Sequence, residues 1–111
     1  MEKSNQKETA YFDIARAISL LDTGMAVARK GMAEKGQFIY KQIPQKVPIG
    51  VMPKMTSVPT FVKRIMEARN QTLNFIDGNF MIVNELGNTS YYTPSGQDLI
   101  AKDWCIYSTS Y

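Results

Sequence analysis

Prolines are concentrated in one short part of this chain. Four of the five lie at positions 44, 48, 53 and 59. Proline has no backbone N–H to donate to a sheet, and it restricts the residue before it, so this stretch cannot form a central strand. We therefore interpret Pro44 to Pro59 as an extended loop and expect the regular elements on either side of it.

An amphipathic helix is predicted before the prolines. Four apolar residues recur at the i, i+3, i+4 and i+7 spacing of one helical face, namely Ile14, Ala17, Ile18 and Leu21. Asp13 is a suitable N-cap, and Gly24 is a suitable left-handed stop. We expect the apolar stripe to pack on a sheet and to have no chemical role.

Two strands are predicted between that helix and the prolines. The first spans residues 25–29 and the second spans residues 37–43, in which Phe38 and Tyr40 share one face and Ile39 the other. Residues 30–36 between them are predicted to be a loop. A second, shorter helix is predicted to begin near Pro59.

The last third of the chain is predicted to be rich in strands. Strands are predicted at residues 73–83, 89–93 and 104–107, and one helical turn at residues 97–101. Within residues 73–83, Asp77-Gly78 is suited to a hairpin turn or a bulge, and residues 85–88 are a clearer turn. The predicted fold is α+β: an antiparallel β-sheet packed against an N-terminal helix, with a second short helix in the middle insertion. Trp104 is assigned to the core.

The length of 111 residues fits one domain, for which we predict residues 11–111, preceded by a flexible tail at residues 1–10. No uncharged stretch is long and apolar enough to cross a membrane, and the N-terminus has no signal-peptide pattern, so a cytoplasmic setting is expected.

The sequence contains no histidine and one cysteine, Cys105. Histidine is the commonest general base, so most hydrolase mechanisms are disfavoured, and no cysteine-built metal site or internal disulfide is expected.

Positive charge is concentrated in the centre of the chain. Residues 25–69 contain nine basic and two acidic residues, whereas residues 70–111 contain one basic and four acidic residues. A basic centre favours an anionic ligand such as a phosphate or nucleotide, although a solvated lysine-rich surface has the same composition.

The segment from Arg29 to Gly36 is a candidate phosphate site. The predicted strand ends in two cations, Arg29 and Lys30, and the glycines Gly31 and Gly36 would let backbone N–H groups approach a ligand. The spacing is neither a Walker nor a dinucleotide motif, and an ordinary polar hairpin loop remains the alternative.

For the other polar and aromatic residues, a structural role is an alternative to a binding or catalytic one. Asp98 follows Ser95 by three residues, which resembles a capping box more than an active site. Tyr91 and Tyr92 are adjacent in a strand, so they face opposite sides of the sheet, and one of them is available for base stacking or for a subunit interface. No pair of carboxylates is placed by spacing alone for catalysis or metal binding.

Two sequence blocks together resemble a known family. The first comprises residues 14–24, 25–32 and 35–40; the second is residues 92–104, which read Tyr-Thr-Pro-Ser-Gly-Gln-Asp-Leu-Ile-Ala-Lys-Asp-Trp. Their order and spacing are similar to those of the second family of phage Thoeris anti-defence proteins. Residues 44–70 contain no motif of that family that we can identify.

The resemblance implies a phage-encoded sponge rather than an enzyme. Such proteins sequester bacterial immune signals, especially glycosyl-cyclic ADP-ribose, without cleaving them, and some members also bind cyclic dinucleotides. They are homotetramers with ligand pockets between protomers. No cofactor, metal, membrane or nucleic-acid polymer is expected as a partner, and the expected location is the cytoplasm of the infected bacterial host.

The resemblance and the residue chemistry together predict the ligand-binding side chains. Arg29 and Lys30 are assigned to phosphates, and Gly31 and Gly36 to backbone approach. Thr93, Ser95 and Asp98 are assigned to ribose hydroxyls or base edges. The full predicted set is Arg29, Lys30, Gly31, Met32, Gly36, Phe38, Tyr40, Tyr91, Tyr92, Thr93, Ser95 and Asp98. Where the family usually has tryptophan this chain has Met32, so stacking is assigned to Tyr40 and to Tyr91 or Tyr92.

Three other functions remain open from the sequence. One is a phosphodiesterase-like enzyme that degrades the signal, and another is a non-specific single-stranded nucleic-acid-binding protein that uses the basic centre. The third is a structural phage component that binds neither kind of ligand.

Overall fold

The chain folds into helices and antiparallel strands, which makes its fold class α+β. A computed structural model describes residues 9–108, so most of the predicted tail and Tyr111 lie outside the described residues. The helices are α1 (Ile14–Asp22), α2 (Lys30–Glu34), α3 (Thr60–Ala68) and α4 (Gly96–Ile100), with a 3-10 turn at Met52–Lys54. The strands are β1 (Val27–Arg29), β2 (Phe38–Lys41), β3 (Gln45–Lys46), β4 (Asn74–Phe75), β5 (Phe80–Val83), β6 (Thr89–Tyr91) and β7 (Trp104–Ile106).

These elements divide into two compact units. The sheet unit contains the described residues up to Gln42 and from Asn79 onward, and the middle unit is Ile43–Gly78. The prediction of one domain over residues 11–111 stays a prediction, because two compact units can belong to one domain or to two. None of the helices in residues 9–108 has the length and apolar run needed to cross a membrane.

The sheet unit is built on five antiparallel strands in the order β6-β5-β2-β1-β7. Helix α1 lies on one side of it, and the buried cluster between them is Ala17, Leu21, Val27, Ile39 and Trp104. The predicted helix is confirmed: Asp13 accepts a hydrogen bond from the Arg16 backbone N–H at 3.0 Å, and Gly24 has φ +92°. The predicted fold class and the core position of Trp104 are also confirmed.

Alternation along the strands gives the sheet two chemically different sides. The side under α1 carries Val27 and Ile39, which are fully buried. On the other side the register places Tyr40 opposite Met81 and Met81 opposite Tyr91. Phe38 and Tyr107 also lie on this second side, with their rings stacked at a centroid distance of 4.9 Å.

Few apolar side chains of the middle unit are buried. Its two strands, β3 and β4, form a separate two-stranded ribbon. Val47 and Met52 are its buried apolar residues, and Pro59 is the N-cap residue of α3. The predicted extended loop over residues 44–59 is therefore correct for its irregular parts but misses β3 and the 3-10 turn.

Candidate functional site

Arg29 lies at the end of β1 between two carboxylates. Its Nε donates to Asp103 Oδ1 at 2.9 Å, and its Nη1 donates to Asp98 Oδ1 at 3.1 Å. The strand pairing explains this placement, because Arg29 is directly opposite Trp104 on β7 and Asp103 immediately precedes that residue. The two negative charges exceed the single positive charge of the guanidinium, so the three side chains together carry a net charge of −1.

Asp98 is the centre of a hydrogen-bond network at the start of α4. Its Oδ2 accepts from the Tyr92 hydroxyl at 2.8 Å and from the Ser95 backbone N–H at 3.0 Å. Its own N–H donates to Ser95 Oγ, which completes a capping box as the Ser-x-x-Asp spacing predicted. The Asp98 carbonyl accepts from Trp104 Nε1 at 3.0 Å, so the network is tied to the core.

The electrostatics of this network favour an ionised Asp98. Burial by itself would raise the pKa of Asp98, but hydrogen bonds from Ser95, Tyr92 and Arg29 together outweigh it and hold the pKa below its ordinary value. Burial, together with the hydrogen bond to the Asp98 carboxylate, raises the pKa of Tyr92. Tyr92 is therefore a neutral donor and Asp98 a charged acceptor near neutral pH.

The two sequence blocks that carry the family resemblance meet in this network. Arg29 comes from the first block, and Asp98 and Asp103 come from the second. Asp103 was missed as a partner of Arg29, because no spacing rule joins residues 74 positions apart. The phosphate-binding role assigned to Arg29 stays a prediction, and the network gives this side chain carboxylate partners instead.

The predicted loop over residues 30–36 is wrong, because residues Lys30–Glu34 form the short helix α2. No proline or β-branched residue interrupts this segment, so a helical turn is allowed. The backbone N–H groups of Lys35 and Gly36 donate to Met32 and Ala33 carbonyls, and they are therefore not free for a phosphate. Gly36 has φ +76°, which supplies the left-handed residue that ends the turn.

The predicted binding residues do not share one surface. Arg29, Tyr92, Ser95 and Asp98 belong to the network on the α1 side of the sheet, whereas Phe38, Tyr40 and Tyr91 lie on the opposite side. Met32 is half-buried and packs against the core cluster. Thr93, Gly31 and Lys30 are exposed.

We call the residues Phe38, Tyr40, Tyr91 and Tyr107 the aromatic face. Tyr91 has 72% of its surface exposed, and the other three are half-buried. Tyr107 is not among the predicted ligand residues. The sequence did carry a signal for its position, because in the predicted strand at residues 104–107 it faces the side opposite Trp104. Flat, partly exposed rings on one side of a rigid sheet are suited to contact with nucleobases or with another protein.

A cavity of about 320 Å³ lies where α2 approaches β7. Lys30 lines it together with Tyr11 and Tyr107, and Glu34 also contributes. Tyr107 therefore connects this cavity with the aromatic face through its stacking on Phe38. A cation can pair with a phosphate, and phenol rings can stack on an aromatic group. The lining is therefore suited to a ligand that carries both.

Among residues 9–108, no three His, Cys, Asp or Glu side chains are grouped as a metal site would require. The buried Cys105 thiol donates to the Ala28 carbonyl, and burial raises its pKa. It is therefore held as a neutral core group.

Comparison with known proteins identifies the family. The Tad2-like family, described as the Thoeris anti-defense 2-like domain, matches residues 12–107, a range that includes the proline-rich middle. No curated protein matches the sequence. The match confirms the resemblance of the two blocks and gives the protein a role in Thoeris anti-defence, and hence in phage evasion of bacterial immunity. This chain belongs to the Thoeris anti-defense 2-like family.

Proposed function

We propose that this protein is a sponge: it binds a bacterial immune cyclic nucleotide and sequesters it without cleavage. Glycosyl-cyclic ADP-ribose is the first ligand to test, and cyclic dinucleotides are the second. The protein would act in the cytoplasm of the infected host, where a diffusible signal is made and sensed. Membership of an anti-defence family is consistent with interception of such a signal.

The observation that carries the proposal is the cavity beside Lys30. Its lining includes Lys30 and the two tyrosines Tyr11 and Tyr107, together with Glu34. A cyclic nucleotide offers phosphates to the cation and a flat base to the rings. Its volume of about 320 Å³ lies at the lower end of the range for small-ligand sites.

Sequestration without cleavage is consistent with the state of the two carboxylates that bind Arg29. Asp98 and Asp103 are both bound to Arg29, and Asp98 also accepts from Tyr92 and Ser95. A general base must be able to take up a proton, but these contacts lower the pKa of Asp98 and stabilise its charged form. This carboxylate therefore acts as a structural acceptor in the proposal.

A homotetramer would supply the enclosure that tight binding needs. Nanomolar affinity corresponds to about 12 kcal/mol, which a ligand lying on one open surface rarely reaches. Tyr91 remains 72% exposed on the aromatic face, so a second copy of the chain has apolar surface to cover there. We propose that ligand pockets close between protomers.

A release experiment tests the proposal. Purified protein is mixed with glycosyl-cyclic ADP-ribose, separated from free ligand, and heat-denatured, and the supernatant is analysed by mass spectrometry. Recovery of intact ligand in stoichiometric amount is expected. Recovery of fragments would mean that the protein is an enzyme, and no uptake of any cyclic nucleotide would refute the sponge.

A matched pair of lysine variants localises the site. Lys30→Met removes the cation that lines the cavity, whereas Lys35→Met removes an exposed lysine that does not line it. We expect Lys30→Met to weaken binding about tenfold, because a charge-assisted contact is lost, and Lys35→Met to change it less than twofold. Calorimetric titration of both variants measures the difference.

A single-stranded nucleic-acid binder is the second candidate, favoured by the basic stretch over residues 25–69. Its affinity for an oligonucleotide would fall steeply with added salt, and cyclic nucleotides would not compete. For a sponge we expect the reverse: weak oligonucleotide binding and competition by the cyclic ligand.

A further inference from the structure

The two edges of the five-stranded sheet differ in how they are covered. At the β7 edge, the Phe12 backbone N–H donates to the Trp104 carbonyl at 2.9 Å, and the Trp104 N–H donates to the Phe12 carbonyl at 3.1 Å. The other edge strand is β6, and within residues 9–108 its strand partner is β5 alone. In the described part of the chain, therefore, the β6 edge is open.

The ladder between β5 and β6 shows which backbone groups face outward at that edge. The Tyr92 N–H donates to the Phe80 carbonyl at 2.9 Å, so the backbone groups of Tyr92 point toward β5. Along an antiparallel strand, successive residues point their N–H and C=O groups alternately toward one neighbour and the other. The backbone groups of Thr89 and Tyr91 therefore point away from β5.

The open edge lacks the features that usually protect edge strands. Such strands are commonly guarded by charged side chains, by proline within the strand or by a covering segment. Residues 86–97 carry no charge, and Thr89, Ser90 and Tyr91 are all exposed. An uncharged, exposed edge with outward N–H and C=O groups is a template for one more strand.

A second copy of the same strand fits this edge. Two copies related by a two-fold axis present β6 to β6 in antiparallel orientation. With the axis at Ser90, Thr89 lies opposite the partner's Tyr91, and every outward N–H and C=O group of both strands has a partner. Registers centred on Thr89 or on Tyr91 leave the groups of the other residue unpaired within the strand.

The side chains are compatible with this self-pairing. Because residues 86–97 are uncharged, the two-fold axis brings no like charges together. Thr89 and the partner's Tyr91 form a β-branched and aromatic cross-strand pair, which is favourable. Tyr91 is 72% exposed and belongs to the aromatic face, so the pairing covers part of its ring and continues that face into the second copy.

We infer that β6 pairs with β6 of a second copy about an axis at Ser90, which joins two five-stranded sheets into one continuous sheet. The inference rests on the self-association in the proposed function and names the surface through which it occurs. The cavity beside Lys30 lies against β7, at the other edge of the sheet, so this pairing leaves it accessible to ligand.

A charge exchange at Ser90 tests the pairing. Ser90→Asp and Ser90→Lys each place two like charges at the axis, and we expect either change to raise the dissociation constant of the assembly by about tenfold. An equimolar mixture of the two variants pairs opposite charges and should restore association. Sedimentation velocity over a concentration series measures each constant. Ser19→Asp and Ser19→Lys, at an exposed serine of α1, are the matched controls and should change it less than twofold.

A cross-link tests the register directly. Residues opposite each other in a pair without mutual hydrogen bonds have Cα atoms about 4.5 Å apart, which a disulfide can span. Ser90→Cys oxidised with glutathione disulfide should therefore give a covalent dimer on a non-reducing gel, whereas Ser19→Cys should not. The native Cys105 is 3% exposed, so it does not compete.

The outcomes separate this inference from the proposed function. An assembly that is insensitive to the Ser90 charges, or that Ser90→Cys does not cross-link, overturns the β6 pairing and leaves the sponge intact. A monomeric wild type overturns both the pairing and the proposed tetramer. Uptake of glycosyl-cyclic ADP-ribose is measured on the same samples, and its absence refutes the sponge while the sedimentation data still decide the pairing.

Discussion

The sheet unit and the middle unit differ in how their apolar residues are used. In the sheet unit, Val27, Ile39 and Trp104 are almost completely buried between α1 and paired strands. In the middle unit, Phe61, Ile76 and Ile43 have 72%, 79% and 83% of their surfaces exposed. The sheet unit therefore holds most of the buried apolar side chains, whereas the middle unit leaves large apolar side chains exposed.

The polar contacts show the same contrast. The sheet unit contains the partly buried network of Arg29, Asp98 and Asp103, which joins distant parts of the chain. In the middle unit Lys63 Nζ donates to the Pro53 carbonyl at 3.0 Å, an exposed contact between near neighbours. Four predictions test this difference, in decreasing order of the effect expected.

Replacing Trp104 should have the largest effect. Trp104→Ala removes the largest side chain of the core, which is 1% exposed, and we expect a loss of about 3–5 kcal/mol of unfolding free energy. Since small domains have about 5–15 kcal/mol in total, this change brings the protein close to unfolding. Urea denaturation followed by far-UV circular dichroism measures the loss. Trp104→Phe is the control, and a loss as large as that of the alanine variant would argue against a packing effect.

Removing Arg29 should cost more than removing another paired cation. Arg29→Met leaves Asp98 and Asp103 without their shared partner, and we expect a loss of about 2–3 kcal/mol. The matched control is Lys41→Met, because Lys41 bonds Asp22 at 2.7 Å in an exposed pair and should contribute about 1 kcal/mol or less. Equal losses in chemical denaturation of the two variants would contradict a special role for the network.

Replacing Met52 should destabilise the middle unit selectively. Met52 is 1% exposed, and Met52→Ala should cost about 2 kcal/mol. The only tryptophan, Trp104, lies in the sheet unit, so its fluorescence reports on that unit alone. We expect the far-UV dichroism transition to shift to lower denaturant while the Trp104 emission transition shifts less. A common shift of both probes would mean that the two units unfold together.

Acid should weaken the sheet unit through Asp98. Its pKa in the folded protein is below its ordinary unfolded value near 3.9, so its contribution to stability is present above that pH and is lost as the pH falls through the folded pKa. In Asp98→Asn we expect a flatter stability profile below about pH 4. Denaturation at pH 7, 4 and 3 measures both profiles, and parallel profiles would exclude a contribution from this carboxylate.

The elements that the sequence predicted well are those with local signals. The spacing of Ala17 and Leu21 predicted the buried face of α1, and Ser95 and Asp98 predicted the capping box of α4. Residues 85–88 predicted the turn between β5 and β6. Each signal lies within a few residues of chain, so nothing distant is needed to recognise it.

The failures have a common physical reason. Helix α2 was predicted as a loop because five residues with two nearby glycines carry too weak a helical pattern to outweigh turn chemistry. The pairing of Arg29 with two aspartates depends on strand register. Register means which residues face one another on neighbouring strands. It depends on how the whole sheet packs, so a single sequence does not reveal it.

The amino-acid order alone determined the α+β class, the amphipathic α1, the core position of Trp104 and the two blocks that mark the family. These follow from periodicity, capping and turn chemistry over short distances along the chain. Three features became visible only in the folded chain: Arg29 contacts carboxylates, Lys30 lines a cavity with Tyr11 and Tyr107, and the predicted binding residues lie on opposite sides of the sheet. Strand pairing joins residues tens of positions apart. Which strands pair, and in which register, depends on burial of the whole sheet rather than on any local segment.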